Sequence, residues 1–118
     1  MQRQMLGGKI HRATVTQASV DYPGSITIDV DLLKAANILP HEKVLIANIT
    51  NGARLESYAI EGKAGSGIIG LNGGAAKHGK IGDKLIIMSF VVLDENELAQ
   101  HKSKVVCVDD QNRIIPKM

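Results

Sequence analysis

The sequence predicts a mainly β fold, a compact barrel with a few short helices. Most of the 118 residues fall in short segments rich in Val, Ile and Leu, which is the composition of buried strands. Twelve glycines and two Asn-Gly pairs supply the tight turns that short strands require. Only two segments carry helix start signals. These features are typical of a small barrel, OB-like or of another topology.

The first predicted elements are two strands. Residues 9–16 contain β-branched residues and no helix start or stop signal. As a regular strand, this segment would place four side chains on one face: Lys9, His11, Ala13 and Val15. Residues 26–28 alternate Ile with Thr, the pattern of a second strand with one buried face.

A short helix follows the second strand. Asp31 is the expected N-cap, and Asn37 and Pro40 are expected to end the helix. The apolar side of this helix would consist of Leu32, Ala35, Ala36 and Leu39.

The second half of the chain continues as strands. They are predicted at residues 43–50, 54–60, 67–71, 84–93, 105–108 and 113–116. Asn51-Gly52 is a hairpin signal between the first two of them. The run Asp94-Glu95-Asn96-Glu97 resembles a capping box that starts a brief helix. No linker or composition shift divides the chain, so residues 1–118 are expected to form one domain.

Charge and composition weigh against several function classes. The formal net charge is +2 with interspersed signs, so no basic stripe indicates nucleic acid. A nucleic-acid-binding barrel is the main non-enzymatic alternative, given the pI near 8.8, but three aromatic residues leave no stacking platform. The four histidines lack metal-ligand spacing, and Cys107 is expected to be a buried thiol. No metal and no membrane are expected as partners, and the chain is expected to be cytoplasmic because it shows neither a leader nor an apolar span.

The most distinctive segment is Tyr22-Pro23-Gly24-Ser25. Pro23 fixes its own φ, and Gly24 permits conformations that other residues resist. The Ser25 hydroxyl is adjacent to the Gly24 carbonyl, where it could attack and move the acyl group from nitrogen to oxygen. Elimination from that ester would leave dehydroalanine at position 25, and hydrolysis would leave a pyruvoyl group. Pro-Gly-Ser is also ordinary turn chemistry, so a β-turn is the alternative.

Further short motifs occur at fixed positions along the chain. They are Met5-Leu6, Lys9 to Ala13, Tyr22-x-Gly24-Ser25, Thr50-Asn51-Gly52-x-Arg54, Ser57 to Ile60, Asn72 to Ala76 and Gly82-Asp83. In this order and spacing they closely resemble the bacterial aspartate 1-decarboxylases, small pyruvoyl-dependent enzymes that make β-alanine for pantothenate. The resemblance extends from Met5 to about Val108 with no large gap.

The resemblance implies a double-psi β-barrel and a proenzyme that cleaves itself between Gly24 and Ser25. The products would be a 1–24 β chain and a 25–118 α chain whose first residue is a pyruvoyl group derived from Ser25. This group would form a Schiff base with L-aspartate and accept the electrons released when the α-carboxylate is lost. The resemblance also implies a homotetramer with sites between subunits. Whether a maturation factor assists is not indicated.

The resemblance assigns roles to two adjacent residues of the strand predicted at residues 54–60. Tyr58 would protonate the substrate carbanion, although a strand Tyr often only packs in the core. Ser57 would stabilise the maturation oxyanion and contact the substrate, with an ordinary strand-face residue as the alternative. The family usually carries Thr at position 57, and Ser lacks the methyl group that stiffens χ1.

Other residues are implied in substrate binding or in support of processing. Arg54 and Lys9 would bind the substrate carboxylates, with ordinary surface cations as the alternative. The loop Gly73-Gly74-Ala75 would bring backbone N–H groups close to the substrate, with Gly74 where the family usually has Ala. Support for processing is implied for three residues outside this loop: His11, Tyr22 and Asn72.

Overall fold

The strands form in the apolar segments of the chain. Glycine and asparagine occur in the turns between these segments. The computed structural model describes residues 1–116. Its strands are β1 (Gln2–Thr14), β2 (Gln17–Ser19), β3 (Ser25–Asp29), β4 (Lys43–Asn48), β5 (Arg54–Gly62), β6 (Ile69–Asn72), β7 (Lys84–Asp94), β8 (Lys104–Val108) and β9 (Ile114–Ile115). Its helices are α1 (Val30–Ala36) and two 3-10 helices, Gly73–His78 and Glu95–Gln100.

The strands join in the order β2-β6-β3-β5-β4-β7-β1-β8-β9. Two early strands, β1 and β3, each lie between two strands that come later in the chain. One of these neighbours is parallel to the early strand and the other is antiparallel. β3 is parallel to β5 and antiparallel to β6, while β1 is parallel to β8 and antiparallel to β7. This repeated insertion agrees with a double-psi barrel, and the predicted mainly β fold with short helices is confirmed.

One aliphatic core lies inside the curled sheet. Its fully buried side chains come from most of the strands and from α1: Ile10, Ile26, Ile28, Leu32, Leu33, Ile46, Ile69, Leu71, Leu85 and Ile87. Full burial of one such side chain contributes about 1.5–3 kcal/mol. Cys107 is a buried free thiol, as predicted. No helix within residues 1–116 is long and apolar enough to cross a membrane.

A bulge in β1 changes which residues face the core. The pairing with β7 shifts between His11 and Ala13, and Arg12 adopts a φ of 70°. Lys9 and His11 are half-buried on the outer face, whereas Ala13 is fully buried. The prediction of one shared face is therefore wrong beyond His11, because the bulge inserts a residue and reverses the alternation.

The helix α1 begins earlier than predicted but ends at the expected residue. Asp29, not Asp31, is the N-cap, and its side chain accepts a hydrogen bond from Asp31 N at 2.8 Å. Asn37 ends the helix in the left-handed region with a φ of 55°, as predicted. Leu39 lies beyond this end and is 66% exposed, so it does not belong to the apolar side.

The second half follows the sequence closely. The Asn51-Gly52 turn joins antiparallel β4 and β5, with Gly52 at a φ of 83°. The capping box is present, with Asp94 N donating to Glu97 Oε1 at 2.7 Å. The sequence did not indicate β2 or the first 3-10 helix, because both are short and lack a clear apolar period.

Candidate active site

Ser25 lies at the boundary between an exposed turn and the barrel interior. Tyr22, Pro23 and Gly24 are exposed, while Ser25 begins β3 and is only 2% exposed. Tyr22 itself is 60% exposed. The Gly24–Ser25 peptide bond thus connects a solvated segment to a buried strand.

Asn72 is the direct hydrogen-bond partner of Ser25. The two residues are opposite each other in the antiparallel β3–β6 pair. Asn72 Nδ2 lies 2.9 Å from Ser25 Oγ and 2.9 Å from Thr27 Oγ1, and Asn72 is 5% exposed. The structure therefore brings together the predicted cleavage residue and one predicted processing residue.

Gly73 provides a surface for the segment before the cleavage point. It has a φ of 59°, and an added Cβ would lie 2.8 Å from Gly24 N, Gly24 Cα and Tyr22 O. Real Cβ atoms do not approach backbone atoms so closely, so only glycine fits here. Gly24, by contrast, has no positive φ, and nothing lies within 4 Å of an added Cβ. The expectation that Gly24 supplies an unusual backbone conformation is thus wrong.

An open depression of about 440 Å³ surrounds the Ser25 position. Its lining comes from the start of β3, the middle of β5 and the first 3-10 helix: Gly24, Ser25, Leu55, Glu56, Ser57, Tyr58, Gly74, Ala75 and His78. Ile26 pairs with Ala59 in the parallel β3–β5 ladder, so Tyr58 and Ser25 are neighbours just before that pair. Six predicted site residues meet here: Gly24, Ser25, Ser57, Tyr58, Gly74 and Ala75.

The ring of Tyr58 stacks on His41 at the edge of this depression. Their centroids are 6.2 Å apart with an interplanar angle of 15°, and Tyr58 is 40% exposed. Ser57 is half-buried on the opposite face of β5. Stacking of this kind limits the ring to a narrow range of positions while its hydroxyl stays accessible.

Arg54 and Tyr58 share the outer face of β5. The register with β4 is continuous from Arg54 to Tyr58, and exposure alternates along the strand. Glu56 lies between them on this face and pairs with Lys43 at 3.2 Å. Glu56 lines the depression, whereas Arg54 does not.

Lys9 and His11 lie far from Ser25 of their own chain. They are on β1, and β7 and β4 separate β1 from β5. Along the sheet, β5 is three strand spacings or about 14 Å from β1, and β3, which carries Ser25, is one spacing further. A single chain therefore does not bring these two residues into the depression.

His11 nevertheless shares a row with Arg54. The row runs straight across four strands: His11, Ile86, Ala47 and Arg54. Within residues 1–116, His11 Nδ1 is buried and has no hydrogen-bond partner. Burial, together with the nearby Lys9 and Arg12, lowers the pKa of His11.

Sequence reasoning missed three residues of this region. Thr27 shares the Asn72 amide with Ser25, and Glu56 and His78 line the depression. The position of Thr27 two residues after Ser25 on a strand was a usable signal, since both face the same side. His78 had none, because its position depends on the unpredicted 3-10 helix. No group of metal-binding side chains occurs in the described part of the chain.

Comparison with known proteins gives one consistent family. A family model described as aspartate decarboxylase matches residues 1–115. An aspartate 1-decarboxylase from Neisseria meningitidis is 60% identical over 114 residues, which cover 97% of this chain and 90% of that protein. One from Ruminiclostridium cellulolyticum is 58% identical, covering 96% and 88%. One from Bacillus subtilis is 55% identical, covering 97% and 90%.

Proposed function

Because the chain belongs to the aspartate decarboxylase family, we propose that it cleaves itself between Gly24 and Ser25 and converts L-aspartate to β-alanine and CO₂. The β-alanine would serve pantothenate synthesis. The observation that carries this proposal is the buried Ser25 hydroxyl, held by Asn72 at 2.9 Å directly after an exposed turn.

The surroundings of position 25 fit a pyruvoyl group derived from Ser25. A carbonyl oxygen there could accept the Asn72 N–H that now reaches Ser25 Oγ. The adjoining depression of about 440 Å³ is large enough for a four-carbon amino acid. Once formed, the pyruvoyl group supplies the electron sink for loss of the substrate carboxylate.

Maturation requires stabilisation of the oxyanion that forms at the Gly24 carbonyl. Completion over hours corresponds to a barrier of about 23 kcal/mol. Gly73 holds the turn before Ser25 in place by close backbone contact. Ser57 lines the same depression, and we assign its hydroxyl as the oxyanion donor. Gly24 itself shows no left-handed conformation, so donors and positioning must supply most of the acceleration.

Substrate binding and protonation fall to residues around the depression. Gly74 and Ala75 are small and line the depression, and we assign their backbone N–H groups as donors to a substrate carboxylate. We assign Tyr58 as the acid that protonates the substrate Cα, because it is next to Ser25 across the β3–β5 ladder. The stack on His41 keeps the Tyr58 ring at the edge of the depression.

The substrate carboxylates also need strong cations, which one chain does not bring into the depression. We propose that Lys9, His11 and Arg54 act in a homotetramer, in which the outer face of the sheet meets a neighbouring copy. This face has a half-buried apolar centre: Leu45, Ala47, Ile86 and Met88. This apolar centre supports the assembly, because a neighbouring copy would cover it.

The proposed location is the cytoplasm, and the buried free thiol of Cys107 is in keeping with a reducing compartment. The proposed function is tested by following chain cleavage and β-alanine formation in the same sample. Both must appear without added pyridoxal phosphate, since the chain itself would supply the carbonyl group.

A further inference from the structure

A threonine two residues after Ser25 shares the same hydrogen-bond donor. Asn72 Nδ2 lies 2.9 Å from both Ser25 Oγ and Thr27 Oγ1. An amide nitrogen carries two hydrogens, so it can donate one N–H to each oxygen. Ser25 and Asn72 are 2% and 5% exposed, so water does not readily replace either bond.

We propose that Thr27 is a positioning residue for maturation. By accepting one N–H of Asn72, it keeps the other N–H directed at Ser25 Oγ. This inference rests on the proposed cleavage at Gly24–Ser25, and it adds a residue that acts through Asn72 rather than on the reacting atoms.

The position of Thr27 is fixed from several sides. Ser25 and Thr27 face the same side of β3, and Asn72 is opposite Ser25 on β6. Gly70 is opposite Thr27 and carries no side chain to displace the hydroxyl. The Thr27 methyl packs near Gly62, where an added Cβ would lie 3.1 Å from it. Because β-branched side chains have a stiff χ1, this contact directs the hydroxyl toward Asn72.

The hydroxyl of Thr27 matters because the second N–H of Asn72 is buried. Without an acceptor, a buried N–H carries a free-energy cost. The amide would avoid that cost by turning its oxygen toward Ser25. Thr27 therefore favours the orientation in which nitrogen faces Ser25 Oγ.

This orientation helps one step of maturation in particular. In the first step, Ser25 Oγ bonds to the Gly24 carbonyl carbon, the C–N bond breaks, and the hydroxyl proton moves to the Ser25 nitrogen. In the second step, a base removes the Ser25 Cα proton and the Cβ–Oγ bond breaks. The electron pair leaves with Oγ in the Gly24 carboxylate. Water then releases ammonia from dehydroalanine and leaves the pyruvoyl group.

The second step leaves negative charge with Oγ in the departing carboxylate, whereas the first step leaves Oγ uncharged in the ester. In the ester, Oγ has no hydrogen and can only accept, so it needs the Asn72 N–H. A donor aimed at developing charge accelerates a reaction, and removing one outright costs about 10²–10³. Misdirecting it should cost part of this, about tenfold. The loss is expected in the elimination step rather than in ester formation.

The test compares Thr27→Val, which keeps the shape but lacks the acceptor, with Thr27→Ser, which keeps the hydroxyl. Each full-length protein is aged alongside the native chain, samples are denatured over time, and half of each is treated with hydroxylamine. Hydroxylamine splits the ester into a 1–24 hydroxamate and a 25–118 fragment beginning with serine, which mass spectrometry separates from the pyruvoyl product. Thr27→Ala repeats the loss of the acceptor without the bulk of Val.

We expect Thr27→Val and Thr27→Ala to form the pyruvoyl fragment about tenfold more slowly than the native chain, with Thr27→Ser close to native. The hydroxylamine-sensitive share of the uncleaved chain should be at least as large as in the native protein. The role of Thr27 would be overturned if both acceptor-free variants formed the pyruvoyl fragment at the native rate, or if their uncleaved chain resisted hydroxylamine. Neither result would affect the proposed function. If the native chain itself never cleaves, the proposed function fails together with this inference.

Discussion

The backbone of Gly24 lies directly against the α-carbon of Gly73, with no space between them for a side chain. An added Cβ on Gly73 would be 2.8 Å from both the nitrogen and the Cα of Gly24. The close contact at the cleavage point therefore requires glycine at position 73, at the start of the first 3-10 helix. This position is 49 residues from Gly24 in sequence. The positive φ of Gly73 adds a second reason why no other residue fits.

Gly73→Ala should therefore impair maturation. The added methyl group has to displace the turn before Ser25, and a misplacement of about 1 Å can cost about 10²-fold in rate. The cleaved fraction is measured against time by denaturing mass spectrometry. Gly74→Ala is the matched control, because nothing lies within 4 Å of an added Cβ there. Equal cleavage rates in both variants would contradict the role of the Gly73 contact.

Tyr58→Phe should separate cleavage from catalysis. The variant keeps the ring that stacks on His41, so it should fold and cleave normally. Loss of the proposed acid should lower β-alanine formation per cleaved chain by about 10²–10⁴-fold. A Tyr58→Phe protein that fails to cleave would show that the hydroxyl serves maturation instead.

Substitutions at Ser57 should show the opposite order of defects. Ser57→Val removes the proposed oxyanion donor, and loss of one such donor costs about 10²–10³ in rate. Maturation should slow accordingly when cleaved chain is followed over time. Ser57→Thr keeps the hydroxyl and stiffens χ1, so it should mature at least as fast as the native chain. Normal maturation of Ser57→Val would remove this residue from the mechanism.

Lys9 should act on the site of a neighbouring copy. Lys9→Ala and Ser25→Ala should each be inactive alone, the first by weak substrate binding and the second by lack of cleavage. When the two are produced together, mixed oligomers can combine an intact Ser25 with Lys9 from the other chain. Partial recovery of β-alanine formation is expected, measured per cleaved chain. Failure to recover in confirmed mixed oligomers would mean that Lys9 has no role across subunits.

Much of the strand pattern was predictable because local signals agreed with the tertiary structure. The Asn51-Gly52 hairpin and the capping box at Asp94 are encoded by adjacent residues. The bulge at Arg12 was not predictable, since the register of β1 depends on pairing with β7 at the other end of the chain. The N-cap at Asp29 was missed because two aspartates compete within three residues.

The candidate site was predictable only in part, because some of its contacts depend on packing between distant parts of the chain. Ser25, Ser57, Tyr58, Gly74 and Ala75 come together around one depression. The contact between Gly73 and Gly24 depends on the packing of a loop that has no periodic signal. Lys9 lies three strands away from Arg54 on the same outer face of the sheet, a relationship that no local pattern of charge could reveal.

Cleavage at Gly24–Ser25 is the central claim, and a denaturing mass spectrum of aged native protein beside Ser25→Ala tests it most directly. The native sample should resolve into a 1–24 fragment ending in a carboxylate and a 25–118 fragment beginning with a pyruvoyl group. The Ser25→Ala sample should remain one chain. A native chain that stays intact after prolonged warming, or fragments that begin with an unmodified serine, would contradict the account.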